Sequence, residues 1–326
     1  MEGSLKTVGV LTSGGDAPGM NACIRAVVRS ALNRGCRVMG IRKGYAGLLR
    51  GDVMEMNATS VANIIHRGGT ILYTARCPEF LEVEYQDRAA EMCRIFGIDG
   101  LVVIGGDGSF RGAQKLSQRG ISVVGVPGTI DLDIVCSDYT IGFDTAVNVV
   151  VEAVSRLRDT SASHERCSVV EVMGRNCGEI ALWSGIATGA DAIMIPEDVE
   201  SQSFDHLVSV IMENRARGKN HNIIIVAEGV GHAEELAKRI HEVTGIESRA
   251  TILGHIQRGG RPTALDIKHA SMMGYLAVEA LYRGETNRII SVKDGKYVDQ
   301  DIDEALAMTK EPSLDIWNAN LHISTY

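Results

Sequence analysis

Three aspartates follow short apolar runs, in a pattern that suits phosphate and metal chemistry. Asp107 lies in the motif GGDGS at 105–109, directly after four apolar residues, and Asp131 and Asp133 follow a second apolar run in the same way. A glycine turn between a strand and a helix presents its backbone N–H groups to an anion. A bare carboxylate in that turn would repel a polyphosphate, so Asp107 is best interpreted as a ligand of Mg²⁺ that bridges the phosphates.

Two other interpretations of GGDGS do not need a metal. The motif can be a glycine-rich turn between a strand and a helix that binds nothing. It can also be a dinucleotide-binding turn, because Gly106, Gly108 and Gly112 have the spacing of a relaxed G-x-G-x-x-x-G. We disfavour the dinucleotide interpretation, since Asp107 would then face a pyrophosphate with no metal between them.

A second strand, glycine loop and helix begins the chain, at 7–11, 12–21 and 21–33. Strand and helix patterns alternate through the rest of the sequence, which predicts an α/β fold with parallel sheets. Ligands of such sheets collect at the carboxyl ends of strands, so we expect the three aspartates on neighbouring strand ends. The local patterns also predict a loop at 44–47, a short helix at 60–66 and a helix that begins near 110.

Composition limits the classes of partner. The 326 residues predict about two domains, and a hydrophobic fraction of 45% is ample for a core. A net charge of −8 and only 5% aromatic residues argue against general binding of nucleic acid or anionic membranes. Seven cysteines without C-x-x-C spacing, and no recognisable signal peptide, predict reduced thiols in a cytosolic protein. No apolar run approaches the roughly 20 residues of a membrane span.

Five motifs, in their order and spacing, closely resemble those of bacterial ATP-dependent 6-phosphofructokinase. They are Leu11–Asn21 (LTSGGDAPGMN), Gly105–Ser109 (GGDGS), Pro127–Asp131 (PGTID), Glu171–Arg175 (EVMGR) and Gly254–Gly260 (GHIQRGG). Each motif alone is moderate support for the family, and five in register are strong support.

The resemblance implies a fold, an assembly and a reaction. The fold would have two doubly wound, Rossmann-like parallel-sheet domains. These would be an ATP-binding domain, 1–142 plus 257–309, and a fructose 6-phosphate-binding domain, 143–256 plus 310–326. The protein would be a cytoplasmic homotetramer that transfers the γ-phosphoryl of MgATP to the 1-hydroxyl of fructose 6-phosphate, a step of glycolysis.

The residue types also fit phosphoryl transfer independently, because that reaction asks a protein mainly for positioning and charge neutralisation. Asp131 is the best candidate for the base, since an ionised carboxylate suffices when the sugar hydroxyl lies within hydrogen-bond distance. Gly15 would leave room for the nucleotide phosphates. Arg76 is a candidate to neutralise charge on the transferring group.

The resemblance assigns residues to four groups. The catalytic group is Asp131, Arg76, Thr129, Asp133 and Arg175. The nucleotide and metal group is Gly15, Tyr45, Arg76, Cys77, Gly106, Asp107 as the Mg²⁺ ligand, Gly108 and Ser109. The fructose 6-phosphate group is Thr129, Ile130, Asp131, Arg166, Met173, Gly174, Arg175, Glu228, Arg249, His255, Ile256, Gln257 and Arg258. The allosteric group, for ADP or phosphoenolpyruvate between subunits, is Arg25, Arg29, Arg158, Gly189, Asp191, Arg217, Lys219 and His221.

Three of these groups carry more detailed expectations. In the family, the residues at Arg166 and Arg249 reach a neighbouring subunit's sugar-phosphate site, and arginine suits phosphate through its planar fork of donors. Asp191 is a candidate to share a metal with a bound diphosphate. Gly108 and Gly128 stand where pyrophosphate-using relatives carry bulkier charged residues, which predicts ATP as the donor.

Two positions depart from the family pattern. The catalytic loop has Leu132 between its aspartates where the family has asparagine, and Ala58 stands where the family has an effector-binding arginine. Both aspartates are present, so we expect retained activity with an altered rate or substrate geometry. The missing arginine predicts an effector site that is weak or retuned to another anion.

Two other functions remain as alternatives. A different kinase with a GGDG loop, such as an NAD or lipid kinase, explains the glycine turn but not HIQR at 255–258 or the loop of Asp131. A non-catalytic sensor or regulatory subunit that binds a nucleotide or a sugar phosphate has Leu132 as its only support. An assay for fructose 1,6-bisphosphate separates all three functions.

Overall fold

Two sheets of mostly parallel strands organise the chain. The computed structural model describes residues 5–309 and 314–324. The chain divides into two units, and each unit is formed by two separate segments. The first unit comprises Met1–Thr145 and Arg258–Lys310, and the second comprises Ala146–Gln257 and Glu311–Tyr326.

The strands are short runs rich in valine and isoleucine, whose branched Cβ favours the extended backbone. In the described residues they are, in chain order, β1 (Thr7–Ser13), β2 (Arg37–Ile41), β3 (Val53–Met56), β4 (Gly100–Gly105), β5 (Ser122–Thr129), β6 (Ile141–Gly142), β7 (Cys167–Val172), β8 (Ala192–Met194), β9 (Asn222–Ala227), β10 (Ser248–Ile252), β11 (Arg288–Lys293) and β12 (Lys296–Asp301).

Helices fill most of the connections between these strands, as the alternating pattern predicts. In the described residues they are α1 (Met20–Asn33), α2 (Gly44–Arg50), α3 (Val83–Ile95), α4 (Asp107–Ser117), α5 (Phe143–His164), α6 (Glu179–Thr188), α7 (Phe204–Ala216), α8 (Ala233–Thr244), α9 (Ala264–Tyr282), α10 (Ile302–Ala307) and α11 (Asp315–Ile323). Short 3₁₀ turns occupy Pro78–Leu81, Glu200–Gln202 and Gly254–Arg258.

The sheet of the first unit has the order β12-β11-β5-β4-β1-β2-β3, with β6 paired to β5. Its central strands are parallel, but β3 runs antiparallel to β2 and β12 antiparallel to β11. The predicted α/β class with mainly parallel sheets is confirmed, and the antiparallel strands β3 and β12 lie at the two edges. At one edge, Asp294 and Gly295 form a two-residue turn with positive φ (48° and 72°). Such Asp-Gly turns join antiparallel strands of a hairpin, and this signal was present in the sequence.

The sheet of the second unit has the order β10-β7-β9-β8, and all its pairs are parallel. All six residues of β9 are buried, as expected for a parallel strand covered by helices on both faces. Leu207, Ile211, Leu236 and Ile240 pack against this sheet from α7 and α8 in one apolar cluster.

Three loops of the first unit leave the sheet side by side, because they follow the carboxyl ends of the neighbouring strands β1, β4 and β5. Ser13 pairs with Gly105, and Gly105 pairs with Pro127, so the three strands reach the edge at nearly the same level. Asp107 follows β4, and Asp131 follows β5. The prediction that these aspartates follow neighbouring strands is confirmed.

The prediction of a loop at 44–47 was wrong, since α2 covers these residues. Tyr45, Leu48 and Leu49 form its buried face at helical spacing, which the glycines at 44 and 47 obscure in the sequence. Gly47 is required there because a Cβ would lie 1.5 Å from the carbonyl oxygen of Arg42.

Two further local predictions were wrong. Residues 60–66 form turns with i→i+3 hydrogen bonds rather than a helix, and Asn63 at φ 56° interrupts any helical path. The side chain of Asn57 accepts from the N–H groups of Thr59 and Ser60 at 2.9 and 3.0 Å and stabilises the first turn. The helix expected near 110 begins at Asp107, which puts that carboxylate in its first turn.

Within the described ranges, no helix combines the length and the apolar character needed to cross a membrane. All seven cysteines lie in those ranges and are free thiols. Burial raises the pKa of Cys93 to about 12, so this thiol stays protonated at neutral pH.

Candidate active site

The glycine loop after β1 lies against an arginine. Gly14 and Gly19 have φ of 89° and 106°, conformations that favour glycine. Nη1 of Arg258 donates to the carbonyl of Asp16 at 3.1 Å. A Cβ added at Gly15 would lie 2.6 Å from the same nitrogen. The absence of a side chain at 15 therefore lets the guanidinium approach the main chain of the loop.

The loop that carries Arg76 is tied to the same glycine loop. Oγ1 of Thr74 donates to the carbonyl of Gly14 at 2.6 Å, and Oγ1 of Thr12 donates to the carbonyl of Tyr73 at 2.9 Å. Arg76 itself is exposed. The two threonines thus fasten residues 73 and 74 to the loop predicted to bind phosphates. Arg76, an exposed cation, follows only two residues later in the chain.

Asp107 is the first residue of α4 and carries a half-exposed carboxylate. Its Oδ2 is 2.8 Å from Nε of Arg111, one helical turn later. Among the described residues, no group of three or more acidic, histidine or cysteine side chains is arranged to hold a metal. Mg²⁺ usually binds one or two carboxylates and takes its other ligands from water and substrate phosphates. Asp107 therefore fits a Mg²⁺ that arrives with a nucleotide.

Two residues predicted to bind the nucleotide use their side chains to hold the start of α4 in place. The hydroxyl of Tyr45 donates to the carbonyl of Ser109 at 2.6 Å, and its ring stacks on Phe80 with the centroids 4.3 Å apart. Oγ of Ser109 donates to the carbonyl of Ser13 at 3.1 Å. Gly112 leaves room for the tyrosine, since a Cβ there would lie 2.7 Å from its ring. These side chains support the helix start, and its backbone N–H groups are the part suited to a phosphate.

The other predicted nucleotide positions differ in exposure. Gly108 is exposed, and a Cβ there would meet nothing within 4 Å. Gly106 directly precedes α4 in an extended conformation. The Sγ of Cys77 lies 3.6 Å from Oε2 of Glu79, and partial burial raises the pKa of this thiol.

The loop after β5 is tightly held. Oγ1 of Thr129 accepts from the N–H of Asp131 at 3.2 Å, and both residues are less than 10% exposed. Ile130 is fully buried and belongs to the core. Leu132 has φ of 54° and is buried. Asp133 lines one cleft together with Asp107 and Arg111.

In the second unit, Glu228 organises the turn after β7. Its Oε1 accepts from the N–H groups of Gly174, at 3.2 Å, and Arg175. Both of these residues have positive φ, 138° and 59°, and the carboxylate compensates the unusual backbone with two hydrogen bonds. The side chain of Arg175 is left exposed.

Gln257, like Glu228, holds main-chain groups with its side chain, here in the 3₁₀ turn after β10. Its side chain is fully buried; Oε1 accepts from the N–H of Met173 at 3.2 Å, and Nε2 donates to the carbonyl of Gly254 at 3.0 Å. His255 and Ile256, beside it, are exposed. This predicted substrate residue therefore joins two loops, while its neighbours present their side chains outward.

Arg166 and Arg249 share one carboxylate, that of Glu247. Nε of Arg166 lies 2.9 Å from Oε2, and Nη2 of Arg249 lies 2.8 Å from Oε1. The two guanidiniums, chiefly that of Arg166, hold the pKa of Glu247 below its usual value. The two arginines predicted to bind one phosphate are thus brought together.

Four residues of the predicted allosteric group converge in the second unit. Arg158 donates to the carbonyls of Thr188 and, at 3.2 Å, Gly189. Burial, the charge of Lys219 and the charge of Arg158 lower the pKa of His221. His221 therefore lies in the positive field of Lys219 and Arg158, which the charge of Asp191 partly offsets, and such a field suits an anion.

Asp191 has protein partners for both oxygens. Its Oδ1 accepts from Lys219 and from the amide of Asn214 at 2.8 Å, and its Oδ2 accepts from the N–H of Ile223 at 2.8 Å. The side chain is fully buried. This arrangement supports a structural part for Asp191 and does not favour the predicted sharing of a metal.

Arg25, Arg29 and Arg217 complete the predicted allosteric group, and Ala58 is the position where the family has a further arginine. Arg25 and Arg29 are one turn apart on α1, and partial burial together with the charge of Arg29 lowers the pKa of Arg25. Ala58 is exposed in the turn after β3, where a longer side chain would fit. Arg217, in the second unit, is exposed just after α7.

Three supporting residues were not found by sequence reasoning. Thr74 and Glu247 act through contacts with residues at other points of the chain, which motif spacing does not show. Arg111 had a local signal, since Asp107 and Arg111 have the i, i+4 spacing of a helical ion pair. That signal was hidden because the helix was expected to begin at 110.

The fold and these loops are typical of α/β proteins that bind phosphates, with a candidate metal-ligand carboxylate in Asp107 and a candidate base in Asp131. The profile of the Phosphofructokinase family matches residues 7–281, and the chain belongs to this family. The predicted family is thereby confirmed.

Named relatives and a solved structure agree with this assignment. The chain is 60% identical over 314 residues to the ATP-dependent 6-phosphofructokinase of Clostridium acetobutylicum, covering 96% of this chain and 98% of that one. It is 57% identical over 314 residues to the enzyme of the same name from Clostridium botulinum, with the same coverage. The phosphofructokinase of Pichia pastoris in the T-state is 39% identical with a TM-score of 0.89. That match covers 99% of this chain, which spans only 37% of the yeast chain.

Proposed function

We propose that the chain is an ATP-dependent 6-phosphofructokinase that converts fructose 6-phosphate and ATP into fructose 1,6-bisphosphate and ADP in glycolysis. The observation that carries the proposal is that the loops of Gly15, Asp107 and Asp131 follow three adjacent strands. A phosphate loop, a metal-ligand carboxylate and a base are the parts that phosphoryl transfer needs. The names of the Clostridium relatives support the same reaction.

Asp131 is the proposed base for the 1-hydroxyl. Its backbone N–H donates to Thr129, which restrains the loop, and its burial restricts the side chain that carries the carboxylate. A positioned base is effective because proton removal then needs no search for geometry. Arg76 and Arg175, both exposed, are the cations proposed to neutralise charge on the transferring group.

Asp107 is the proposed ligand of Mg²⁺, which when bound neutralises phosphate charge and orients the γ-phosphoryl. The ion pair with Arg111 occupies this carboxylate. An exposed i, i+4 pair contributes only about 0.3–0.5 kcal/mol, so the pair with Arg111 would not prevent Asp107 from holding a divalent cation.

The donor is proposed to be ATP rather than pyrophosphate. Gly108 opens to free space, so nothing there restricts the rest of the nucleotide. A Cβ at Gly128 would lie 3.0 Å from Ile104 and 3.2 Å from Met20. A large cationic residue at 128 would therefore have to displace core side chains, and no cation is present there to capture free pyrophosphate.

The sugar phosphate is proposed to bind Arg258 and His255 of one subunit and Arg166 and Arg249 of a neighbour in a homotetramer. The shared carboxylate of Glu247 supports this, because it holds two arginines close enough for one phosphate. Guanidinium groups bind phosphate through paired N–H donors.

The two units are proposed to divide the substrates. The first would be the ATP domain (1–142 plus 257–309 in the sequence prediction), and the second would be the fructose 6-phosphate domain (143–256 plus 310–326). We further propose a cytoplasmic location and an ADP or phosphoenolpyruvate effector.

A coupled assay tests the function directly. The purified chain is given fructose 6-phosphate, Mg²⁺ and either ATP or pyrophosphate, and fructose 1,6-bisphosphate is measured. We expect product with ATP, and we expect Asp107→Ala to weaken the metal dependence and the use of nucleotide together. Absence of product from the wild type would contradict the function, and comparable turnover with saturating pyrophosphate would contradict the donor.

A further inference from the structure

Asp266, outside the predicted site, is a buried carboxylate with four donors. It lies in the first turn of α9 and has no solvent exposure. Its Oδ1 accepts from the hydroxyl of Tyr139 at 2.6 Å and from the N–H of Gly142 at 2.7 Å. Its Oδ2 accepts from the N–H of Thr145 at 2.9 Å and from the hydroxyl of the same residue. A buried charge needs such compensation, so this carboxylate is firmly held and holds its donors in turn.

Gly142 is the donor through which Asp266 reaches the active-site loops. It has φ of 107° and pairs with Thr129 where β6 joins β5. A Cβ at Gly142 would lie 2.7 Å from Cβ of Ala17 and 3.2 Å from both Cδ of Pro18 and Cγ2 of Ile130. Ala17 and Pro18 belong to the glycine loop, and Ile130 belongs to the loop of Asp131. One main-chain position therefore lies between the two loops.

The end of the glycine loop packs on the same strand. A Cβ at Gly19 would lie 2.6 Å from Cγ2 of Ile141 and 3.6 Å from Cβ of Asp266. Thr129, the pairing partner of Gly142, accepts the N–H of Asp131. Because β6 packs against residues of both loops, a displacement of β6 would disturb the packing of each loop.

We infer that Asp266 is a positioning residue for phosphoryl transfer, because its bond to Gly142 fixes the glycine loop and the loop of Asp131 relative to each other. This inference rests on the proposed function. A misplacement of about 1 Å between reacting groups can cost roughly 10²-fold in rate. Asparagine would present one acceptor and an NH₂ group to these N–H donors, so it cannot hold Gly142 and Thr145 at once.

The first test is the kinetics of Asp266→Asn. We expect kcat to fall about 10- to 100-fold, the scale of a small misplacement. KM for ATP and fructose 6-phosphate should stay within about threefold, since the binding residues remain. Tyr139→Phe is the matched control, because it removes a donor to the same oxygen but keeps the ring and the Gly142 bond. Its kcat should stay within about threefold of the wild type. An unchanged kcat in folded Asp266→Asn would overturn the inference.

A double-mutant cycle separates positioning from general support. If Asp266 acts through the geometry of Asp131, then Asp266→Asn should cost less than about threefold in an Asp131→Asn background. A purely structural role predicts that the same 10- to 100-fold loss recurs there. Full additivity of the two losses would therefore overturn the inference.

Hydrogen exchange gives a readout that does not depend on the reaction. In Asp266→Asn, backbone amides of 14–20 and 128–134 should exchange faster together, while those of β9 keep their wild-type rates. Unchanged exchange in both loops would contradict the positioning role even if the chain had another activity. If Asp266→Asn does not fold, Thr145→Val replaces it. That variant loses one donor to Oδ2 and an acceptor for the N–H of Thr263. It should give a smaller fall in kcat with the same exchange pattern, and unchanged exchange would again count against the inference.

Discussion

The guanidinium of Arg258 lies against the main chain of Gly15, so close that a Cβ at 15 would stand 2.6 Å from its Nη1. The same nitrogen is bonded to the carbonyl of Asp16. A residue predicted to bind the sugar phosphate thus takes its position from the loop predicted to bind the nucleotide. One predicted sugar-phosphate contact is thereby linked to the predicted phosphate loop within the first unit.

We predict that Gly15→Ala displaces Arg258 without unfolding the protein, because the clash is with the end of a flexible side chain. KM for fructose 6-phosphate should rise about 10-fold, the equivalent of roughly 1.4 kcal/mol. Steady-state kinetics measure the effect, and thermal unfolding checks the fold. If the effect passes through the arginine, Gly15→Ala should add little in an Arg258→Ala background. Equal losses in both backgrounds would show that the methyl group acts on something else.

Asp131→Asn should lower kcat by roughly 10²–10⁴-fold, the usual effect of removing a positioned base. KM values should change much less, since the amide keeps the size of the carboxylate. Asp159→Asn, an exposed aspartate on α5, is the control and should behave as the wild type. Full activity of Asp131→Asn would remove this residue from the mechanism.

Leu132 has opposing effects on stability, which two substitutions separate. Its left-handed backbone (φ 54°) costs about 1–2 kcal/mol for a residue with a Cβ, and its burial offsets this by about 1.5–3 kcal/mol. Leu132→Ala loses the burial but keeps the strain, whereas Leu132→Gly loses both. We therefore predict that the glycine variant is more stable than the alanine variant by about 1 kcal/mol. Urea unfolding measures this order, and the usual order, alanine above glycine, would contradict it.

The sequence predicted those parts of the protein that depend on local pattern. The glycine loops, the α/β class and the placement of Asp107 and Asp131 after consecutive strands follow from strand–turn–helix spacing, which is a local property. The buried bonds of Tyr45 and Gln257, and the pairing of Arg166 with Arg249 through Glu247, depend on contacts between distant segments. Motif spacing carries no information on such contacts. The helix α2 was missed for a different reason. Its two glycines have a low helix propensity, and tertiary packing overrides that propensity.

Assembly of the active site from two chains is tested by complementation. If Arg249 completes a neighbour's sugar-phosphate site, Asp131→Asn chains mixed with Arg249→Ala chains should regain part of the wild-type activity after reassembly. Each hybrid contains some sites with both residues intact. Two differently tagged Asp131→Asn preparations, mixed in the same way, are the control and should stay inactive. No recovery, with hybrids confirmed by native mass spectrometry, would indicate sites contained in one chain.

The predicted effector site should be weak because it lacks one phosphate contact. Partial burial and, second, the charge of Arg29 one turn away on α1 lower the pKa of Arg25, and a bound anion would relieve the repulsion between the two guanidiniums. Ala58 is exposed, so Ala58→Arg should be tolerated. A hydrogen bond to a charged group contributes about 1.5–3 kcal/mol. The substitution should therefore lower the half-effective concentration of ADP or phosphoenolpyruvate about 10- to 100-fold.

Titration of each effector against the fructose 6-phosphate saturation curve measures this shift. Ala62→Arg places the same side chain at an exposed position four residues later and serves as the control. A strong response of the wild type at micromolar effector would show that the site needs no arginine at 58. An unchanged weak response in Ala58→Arg would instead show that the weakness has another cause, because the restored guanidinium would then make no contact with the phosphate.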